Sequence, residues 1–293
     1  MNRKVYFGNG TKQTWIPAPL TGLVASTAGY LVQNQLLNGR SIQKRSAGSH
    51  RTFEASWLGS MNAEAMEDSL HTIKDFADGL YGQGPFYWLD PYAIDTNLLP
   101  PHWASPMLSE QGWPTLATGP TITYVTTDAN TRNYPVKSAL FTFGATAAFE
   151  SDKKITIIIP EGYKLHFGWH GSVNSGSATV AIRMYDRDDN TTTDVNAAVL
   201  GVTSAVRTNT QVNGNNFSKA EIFIKKPSGA TSAIEIAGMI AQVLPEADSV
   251  AQGNFISGRG TSALDFSALP NFEYYSAAVN NGQVGLSASF LEV

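Results

Sequence analysis

The segment YGQGPFYWLDP, residues 81–91, constrains the fold of this chain more than any other stretch of its sequence. Pro85 and Pro91 fix the backbone φ angle, lack an N–H donor and push the residues before them towards extended angles. The residues between the two prolines can therefore form only a short, bulky strand. A rigid apolar segment held at both ends predicts a wedge that packs beneath a helix or against a neighbouring subunit. This aromatic segment consists of Phe86, Tyr87, Trp88 and Leu89.

A helix is predicted immediately before the aromatic segment. Asn62 is a suitable N-cap, and Gly79 stands where a left-handed C-terminal cap belongs. Apolar residues between these two positions recur at helical spacing, so they form a single stripe that faces a core. The stripe consists of Met66, Leu70, Ile73 and Phe76.

Three further runs accompany the helix and the aromatic segment. They are FEASW at 53–57, NLLPP at 97–101 and GRGTSALDF at 258–266, the last followed by EYYSAA at 273–278. Together these motifs resemble the distal tail or minor tail proteins of long-tailed bacteriophages that infect actinobacteria. The resemblance covers about residues 1–100 and 246–293, and its motifs are structural, not catalytic.

The resemblance implies a structural protein at the distal end of a virion tail, assembled in the host cytoplasm, with no enzymatic activity. The expected partners are other copies of the chain in a ring, with a hexamer as the expected stoichiometry, the tail tube protein, and the tip or baseplate hub proteins. The N-terminal domain would form the ring, and a second domain would project outward towards host cell-wall polysaccharide.

Composition limits the other classes of function. A net charge of −4 and the lack of a dense basic run argue against direct nucleic-acid recognition. The absence of cysteine excludes disulfides and thiolate metal sites. No segment is long and apolar enough to predict membrane insertion or a signal peptide. We expect a soluble protein without a cofactor.

Alternating apolar residues beyond residue 100 predict a mainly β chain with two domains. Residues 1–100 with 246–293 would form an N-terminal β-sandwich with one helix, which the last strand rejoins. Residues 101–111 read as an extended, proline-rich connector, and residues 112–245 as an antiparallel jelly-roll sandwich similar to carbohydrate-binding modules. A simple string of two domains with an independent C-terminal tail is the alternative.

A basic cluster occurs between the predicted strands of the N-terminal domain. It is either an ordinary solvated loop or a charged contact to an adjacent ring or subunit. Its members include Arg40, Lys44 and Arg45.

Strand alternation also predicts an outward face on the jelly roll. If the apolar positions are core, the intervening residues combine aromatic rings, hydrogen-bond donors and a carboxylate, which is the chemistry that sugars require. The bland interpretation is that they are solvent-facing residues of strands that need not be neighbours. The candidates are His166, His170, Arg183, Tyr185, Glu221 and Phe223.

Other chemistry has little support in the sequence. His166 and His170 would share a metal on a helix, but on a strand they stand roughly 13 Å apart. Asp186, Asp188 and Asn190 imitate part of a calcium loop, but a polar hairpin tip is the favoured interpretation. The alternatives to a tail protein are a secreted or cell-surface carbohydrate-binding protein and a tail-associated depolymerase.

Overall fold

We describe the fold from a computed structural model, in which the chain divides into two compact units. The first unit comprises Met1–Asp90 with Ala263–Val293, and the second comprises Pro91–Ser262. The structure describes residues 4–20, 24–27, 31–35, 41–45, 51–59, 69–90, 97–104, 119–126, 137–145, 147–188, 190, 194–197, 199–200, 210–247, 263–274 and 284–293.

The first unit contains a three-stranded antiparallel sheet around its first strand. The middle strand pairs with the second strand on one side and with the aromatic segment on the other, where Tyr6 lies opposite Leu89. The strand predicted between the two prolines is therefore confirmed. The strands are Lys4–Gly8 (β1), Gln13–Pro17 (β2) and Tyr87–Leu89 (β7), in the order β2-β1-β7.

A second sheet of the first unit joins the two ends of the chain. The last strand lies antiparallel to an N-terminal strand, from Val284 opposite Gly59 to Leu291 opposite Thr52. At the end of this pair, Glu292 and Arg51 form a salt bridge. The strands are Val24–Thr27 (β3), Arg51–Gly59 (β6), Leu264–Phe266 (β19), Asn271–Tyr274 (β20) and Val284–Glu292 (β21). Their order is β19-β21-β6-β3, with β20 also paired to β21.

The basic cluster lies partly in a hairpin instead of a loop. Leu31–Gln35 (β4) pairs with Ser41–Arg45 (β5), so Lys44 and Arg45 belong to a strand. Backbone pairing with β4 replaces the solvated loop that the sequence suggested. Arg40 lies outside the described residues.

The helix ends as its sequence predicts. His71–Ala77 (α1) is followed by Gly79, which has a φ of 78°. The N–H groups of Gly79 and Leu80 donate to the carbonyls of Phe76 and Asp75 over 3.1 and 2.9 Å. This is the Schellman arrangement, in which a residue with positive φ satisfies the last carbonyls of a helix. The proposed N-cap, Asn62, and the stripe residue Met66 lie outside the described residues.

The aromatic segment enters the core of the first unit beneath the helix. Phe86 is 2% exposed, and its ring centroid lies 5.3 Å from that of Phe7 and 5.8 Å from that of Phe76. Trp88 is half-buried and contacts Phe7 and Phe290 through ring edges. Tyr87 is half-buried and Leu89 is buried. The segment thus links the helix, the first sheet and the C-terminal strand in one core.

The second unit contains a six-stranded sheet built around two long strands. Twelve residue pairs join these strands, with a register shift between His170 and Gly171. The strands are Thr121–Thr126 (β8), Lys137–Phe143 (β9), Tyr163–Ser175 (β12), Val199–Leu200 (β15), Thr210–Asn213 (β16) and Ser232–Pro245 (β18). The order is β15-β12-β18-β9-β8, with β16 also paired to β12.

A five-stranded sheet completes the second unit. Its strands are Phe149–Glu150 (β10), Ile155–Ile158 (β11), Thr179–Tyr185 (β13), Val195–Asn196 (β14) and Lys219–Lys226 (β17), in the order β10-β17-β13-β14 with β11 also paired to β17. The two sheets of this unit contact each other, because the rings of Phe143 and Phe149 lie 5.3 Å apart and Trp169 Nε1 donates to the carbonyl of Ala197 over 3.3 Å. The predicted mainly β, antiparallel sandwich architecture is confirmed.

The predicted extended connector is wrong for its first residues. Pro101–Ala104 (α2) is a short helix, and Trp103 within it is only 3% exposed. Just before it, Asn97 Nδ2 donates to the carbonyl of Met239 over 2.7 Å, and the N–H of Ala241 donates to Asn97 Oδ1 over 3.0 Å. These bonds tie the NLLPP run to β18, because buried polar groups must find partners. Residues 105–111 of the predicted connector lie outside the described residues.

Neither helix in the described part of the chain has the length and apolar character needed to cross a membrane.

Candidate functional site

Pairing between β13 and β17 brings four of the predicted sugar-face residues onto one surface. Arg183 lies opposite Glu221, and Ala181, two residues before Arg183, lies opposite Phe223. Tyr185 follows on the same face, since directly opposed residues of an antiparallel pair share a side of the sheet. The intervening residues, Val180, Ile182, Ile222 and Ile224, are buried on the other face.

Arg183 is held by two carboxylates from different elements. Its Nη1 and Nη2 donate to the two carboxylate oxygens of Glu150 over 2.8 and 2.9 Å. Its Nε and Nη2 donate to Asp194 over 2.9 and 3.1 Å. Because both pairs are bidentate, these four hydrogen bonds fix the plane of the guanidinium. Arg183 therefore joins β10, β13 and the residue before β14, and it has little capacity left for a ligand.

Phe223 is not a platform for a sugar ring. It is fully buried, because the Arg183 guanidinium carbon lies 4.7 Å and the Lys154 ammonium 5.2 Å from its ring centroid. Cations stack favourably on an aromatic face and here cover the face that the sequence assigned to a ligand. The expected stacking role of Phe223 is wrong, although its position on the outer face is as predicted.

Tyr185 and Glu221 are engaged with each other beside this pair. The Tyr185 hydroxyl donates to Glu221 Oε2 over 2.6 Å, and the Lys219 ammonium lies 4.5 Å above the Tyr185 ring centroid. Lys154 lies 2.7 Å from a Glu150 oxygen and 3.6 Å from a Glu221 oxygen. The acidic, basic and hydroxyl groups named on this outer face are thus paired with one another.

The network shifts the acidity of its central carboxylate. The hydrogen bond from Arg183, assisted by Lys154, lowers the pKa of Glu150 to about 2, against the opposing effect of burial. The same contacts, first with Glu150 and then with Asp194, raise the pKa of Arg183 above its usual value. Arg183 and Glu150 therefore both remain charged throughout the physiological pH range. We call Arg183 with its two carboxylate partners, Glu150 and Asp194, the Arg183 clamp.

His166 and His170 do not belong to this surface. They lie on β12 in the six-stranded sheet, opposite Gln242 and Gly238, and are 2% and 0% exposed. The expected outward exposure is wrong because β12 is covered on both sides along this stretch, whereas alternation separates core from solvent only in a strand with one wet face.

The acidic run after β13 forms a hydrogen-bonded turn. The N–H groups of Asp188 and Asn190 donate to Asp186 Oδ1 over 3.0 and 2.8 Å. These bonds, those from Asn190 first, lower the pKa of the exposed Asp186. Across the described residues, no group of three or more histidine or acidic side chains is placed to hold a metal ion.

A cleft of about 620 Å³ opens at one end of the five-stranded sheet, next to the Arg183 clamp. It lies where β10 and β13 begin and β17 ends. The wall combines hydroxyl, amide, ammonium and carboxylate groups with an aromatic ring and a proline. The lining residues are Ala148, Phe149, Glu150, Ser177, Thr179, Asn196, Lys225, Lys226 and Pro227.

Two adjacent lysines of the cleft, Lys225 and Lys226, were not among the candidate site residues that the sequence predicted. Lys225 Nζ lies 3.7 Å from an Asp194 oxygen. Lys226 is 2% exposed, and its ammonium donates to the carbonyls of Ala147 and Pro227 over 2.9 and 3.1 Å. A buried lysine is unusual unless it has charged partners. The sequence feature that could have indicated these lysines is the Lys-Lys-Pro run, residues 225–227, at the end of an apolar strand.

Comparison with known proteins finds no matching family model and no matching curated protein. Among solved structures, the chain is similar to the carbohydrate-binding module TmCBM61 in complex with β-1,4-galactotriose, with 15% identity over 43% of this chain and 82% of that chain, at a TM-score of 0.27. It is also similar to the enzymatically active domain of tailspike protein 4 from bacteriophage CBA120, with 18% identity over 49% of this chain and 22% of that chain, at a TM-score of 0.29.

A third likeness is to the VP2 subviral particle of infectious bursal disease virus, with 13% identity over 92% of this chain and 80% of that chain, at a TM-score of 0.21. The neighbours thus include a carbohydrate-binding module, a phage tailspike domain and a viral capsid protein. Similarity at these scores carries no argument about the function of this chain.

Proposed function

We propose that this chain is a structural protein of a bacteriophage tail tip that forms a homo-oligomeric ring between the tail tube and the host-recognition apparatus. The route of the chain supports the proposal. β21 lies beside β6, so both ends of the chain build the first unit, and the second unit is inserted between them. The tail-protein resemblance occurs in the same two end regions.

Assembly can be measured directly. Mass photometry of the purified chain, alone and mixed with the tail tube protein of the same phage, should give a closed oligomer with a single stoichiometry, a hexamer by expectation. A chain that stays monomeric in both samples would contradict the ring.

We further propose that the second unit binds host-surface polysaccharide in the cleft beside the Arg183 clamp. The mixed wall of this cleft is the observation that carries the proposal. Phe149 and Pro227 offer apolar surface for a sugar ring, and Thr179 and Asn196 offer hydrogen bonds to hydroxyl groups. Weak binding at one site would gain avidity in a ring.

The test is a calorimetric titration of the full chain with polysaccharide purified from the host cell wall. Replacing Thr179→Val together with Asn196→Ala should weaken binding about tenfold, because each change removes hydrogen bonds to the ligand. The matched control is Thr123→Val with Asn174→Ala, which changes exposed residues of the other sheet. Equal affinities for the two double variants would contradict binding in the cleft.

The lowered pKa of Glu150, a carboxylate of the Arg183 clamp, argues against the depolymerase alternative. A glycosidase needs a general acid whose pKa is raised, so that it carries a proton near neutral pH. Glu150 has its pKa lowered to about 2 and is paired with Arg183 and Lys154. The proposal therefore assigns binding, and no reaction, to this surface.

A further inference from the structure

Lys226 is a buried cation in the wall of the cleft. It is 2% exposed, and the two hydrogen bonds of its ammonium go to neutral backbone carbonyls of Ala147 and Pro227. Within the part of the chain that the structure describes, it has no ion pair with a carboxylate. A charge removed from water without an opposite charge is unfavourable. An ammonium has three donors, so one donor of Lys226 remains for a ligand.

Among the described residues, the charges around the cleft leave this cation uncompensated. Glu150 is the one carboxylate among the lining residues, and both of its oxygens accept hydrogen bonds from Arg183. Lys154 lies 2.7 Å from the same carboxylate. Lys225 adds a second ammonium to the wall. Its ion pair with Asp194 is long, at 3.7 Å, and the same carboxylate accepts hydrogen bonds from Arg183 over 2.9 and 3.1 Å. The wall therefore presents net positive charge to a bound molecule.

We infer that the cleft selects an anionic saccharide, and that Lys225 and Lys226 bind its carboxylate or phosphate group. This inference rests on the proposed function, since it names the class of polysaccharide that the cleft takes. An acidic group entering the cleft supplies the opposite charge that Lys226 lacks, and charge-assisted hydrogen bonds are shorter and stronger than neutral ones. The neutral lining groups, Thr179 and Asn196, then contact the rest of the sugar unit.

The experiment compares anionic and neutral polymers, using the full chain at low salt. The probes are polygalacturonate, its fully methyl-esterified form, a glucosylated poly(glycerol phosphate) teichoic acid and a neutral β-1,4-galactan. At least one of the two anionic polymers should bind about tenfold more tightly than the neutral probes, and raised salt should weaken that binding. Preference for polygalacturonate identifies a carboxylate ligand, and preference for the teichoic acid identifies a phosphate.

Variants locate the charge recognition. Lys225→Gln and Lys226→Met should each reduce affinity for the preferred anionic polymer about tenfold, with no comparable effect on neutral probes. Lys12→Gln, which removes the same charge from an exposed turn of the first unit, should leave the affinity unchanged. Thermal melting of each variant checks folding, and if Lys226→Met does not fold, Lys225→Gln and the neutral probes still decide the outcome.

The outcomes separate the two proposals. Failure of both anionic polymers to bind more tightly than the neutral probes, or equal affinity of Lys225→Gln and Lys12→Gln for the preferred polymer, would overturn the anionic preference and leave saccharide binding in place. No binding of any probe or of host cell-wall polysaccharide would overturn the proposed sugar-binding function itself.

Discussion

Arg183 connects three elements of the five-stranded sheet through two bidentate ion pairs. Its partners are Glu150 at β10 and Asp194 just before β14, and its guanidinium covers the buried ring of Phe223. The cleft shares Glu150 with this clamp. The clamp therefore sets the position of one cleft wall, and its contribution to stability should depend on pH.

Acid titration tests the clamp. The pKa of Glu150 in the folded protein, about 2, lies below its usual 4.5, so the ionised form is favoured by folding. The stabilisation is complete above about pH 4.5 and is lost as pH falls to about 2. Glu150→Gln should lower the unfolding free energy at pH 7 and flatten its pH dependence across this window, as measured by denaturant unfolding.

The control for this titration is Glu161→Gln, which changes an exposed glutamate in a turn of the same unit. It should leave the steepness of the acid transition as in the unmodified chain. An equal slope for the Glu150 variant and the unmodified chain would show that the clamp does not stabilise the fold.

Phe86 contributes a buried ring to the core of the first unit. Its ring contacts those of Phe7, Phe76 and Phe266 within 5.8 Å. Phe86→Ala should therefore cost about 3–5 kcal/mol of unfolding free energy, through lost burial and the cavity that remains. Leu80→Ala, at a residue 68% exposed, should cost less than about 0.5 kcal/mol. Similar denaturation midpoints for the two variants would contradict the packing described.

At the residue scale, sequence patterns predicted which face of a sheet a side chain lies on, but not whether that side chain is buried or exposed to solvent. Alternation put Arg183 and Phe223 on one face correctly, since it reflects the period of the strand. It could not show that Arg183 and Lys154 would bury the Phe223 ring, because Lys154 comes from a different part of the chain. For His166 and His170, alternation failed because both sides of β12 are covered.

At the element scale, the C-terminal strand is the element that completes the first unit. β21 pairs with β6, β19 and β20, and Leu286, Ala288 and Phe290 on its inner side are buried in the core. A chain ending at residue 283 loses these pairings. Calorimetry should then show loss of the unfolding transition of the first unit, with the transition of the second unit retained. An unchanged first transition would contradict the role assigned to β21.

Restrictions on the backbone of single residues predicted two local features correctly. The left-handed cap at Gly79 and the strand after Pro85 were predictable because each depends on backbone restrictions of one or two residues. The short helix α2 was missed, since four residues carry too little periodicity and its stability comes from Trp103 packed in the core. Strand β5 was missed because its charged residues resemble a loop, and its partner strand fixes it.

At the scale of the whole molecule, the cleft illustrates what a sequence cannot provide. Its walls come from residues near 150, 178, 196 and 226, and only the strand order of the five-stranded sheet brings them together. Antiparallel pairing of β10 and β13 with β17 could not be derived from strand patterns, which are equally compatible with other orders. The class of fold was predictable; the binding surface required the topology.

The most direct test of the proposed role is to locate the chain in the assembled particle. Antibodies against the purified chain, used in immunogold electron microscopy of intact virions, should label the distal end of the tail and no other part. Labelled particles should also be blocked from adsorbing to host cells. Virions without any label, together with detection of the chain in the medium of the producing cells, would contradict a tail-tip protein and support a secreted carbohydrate-binding protein.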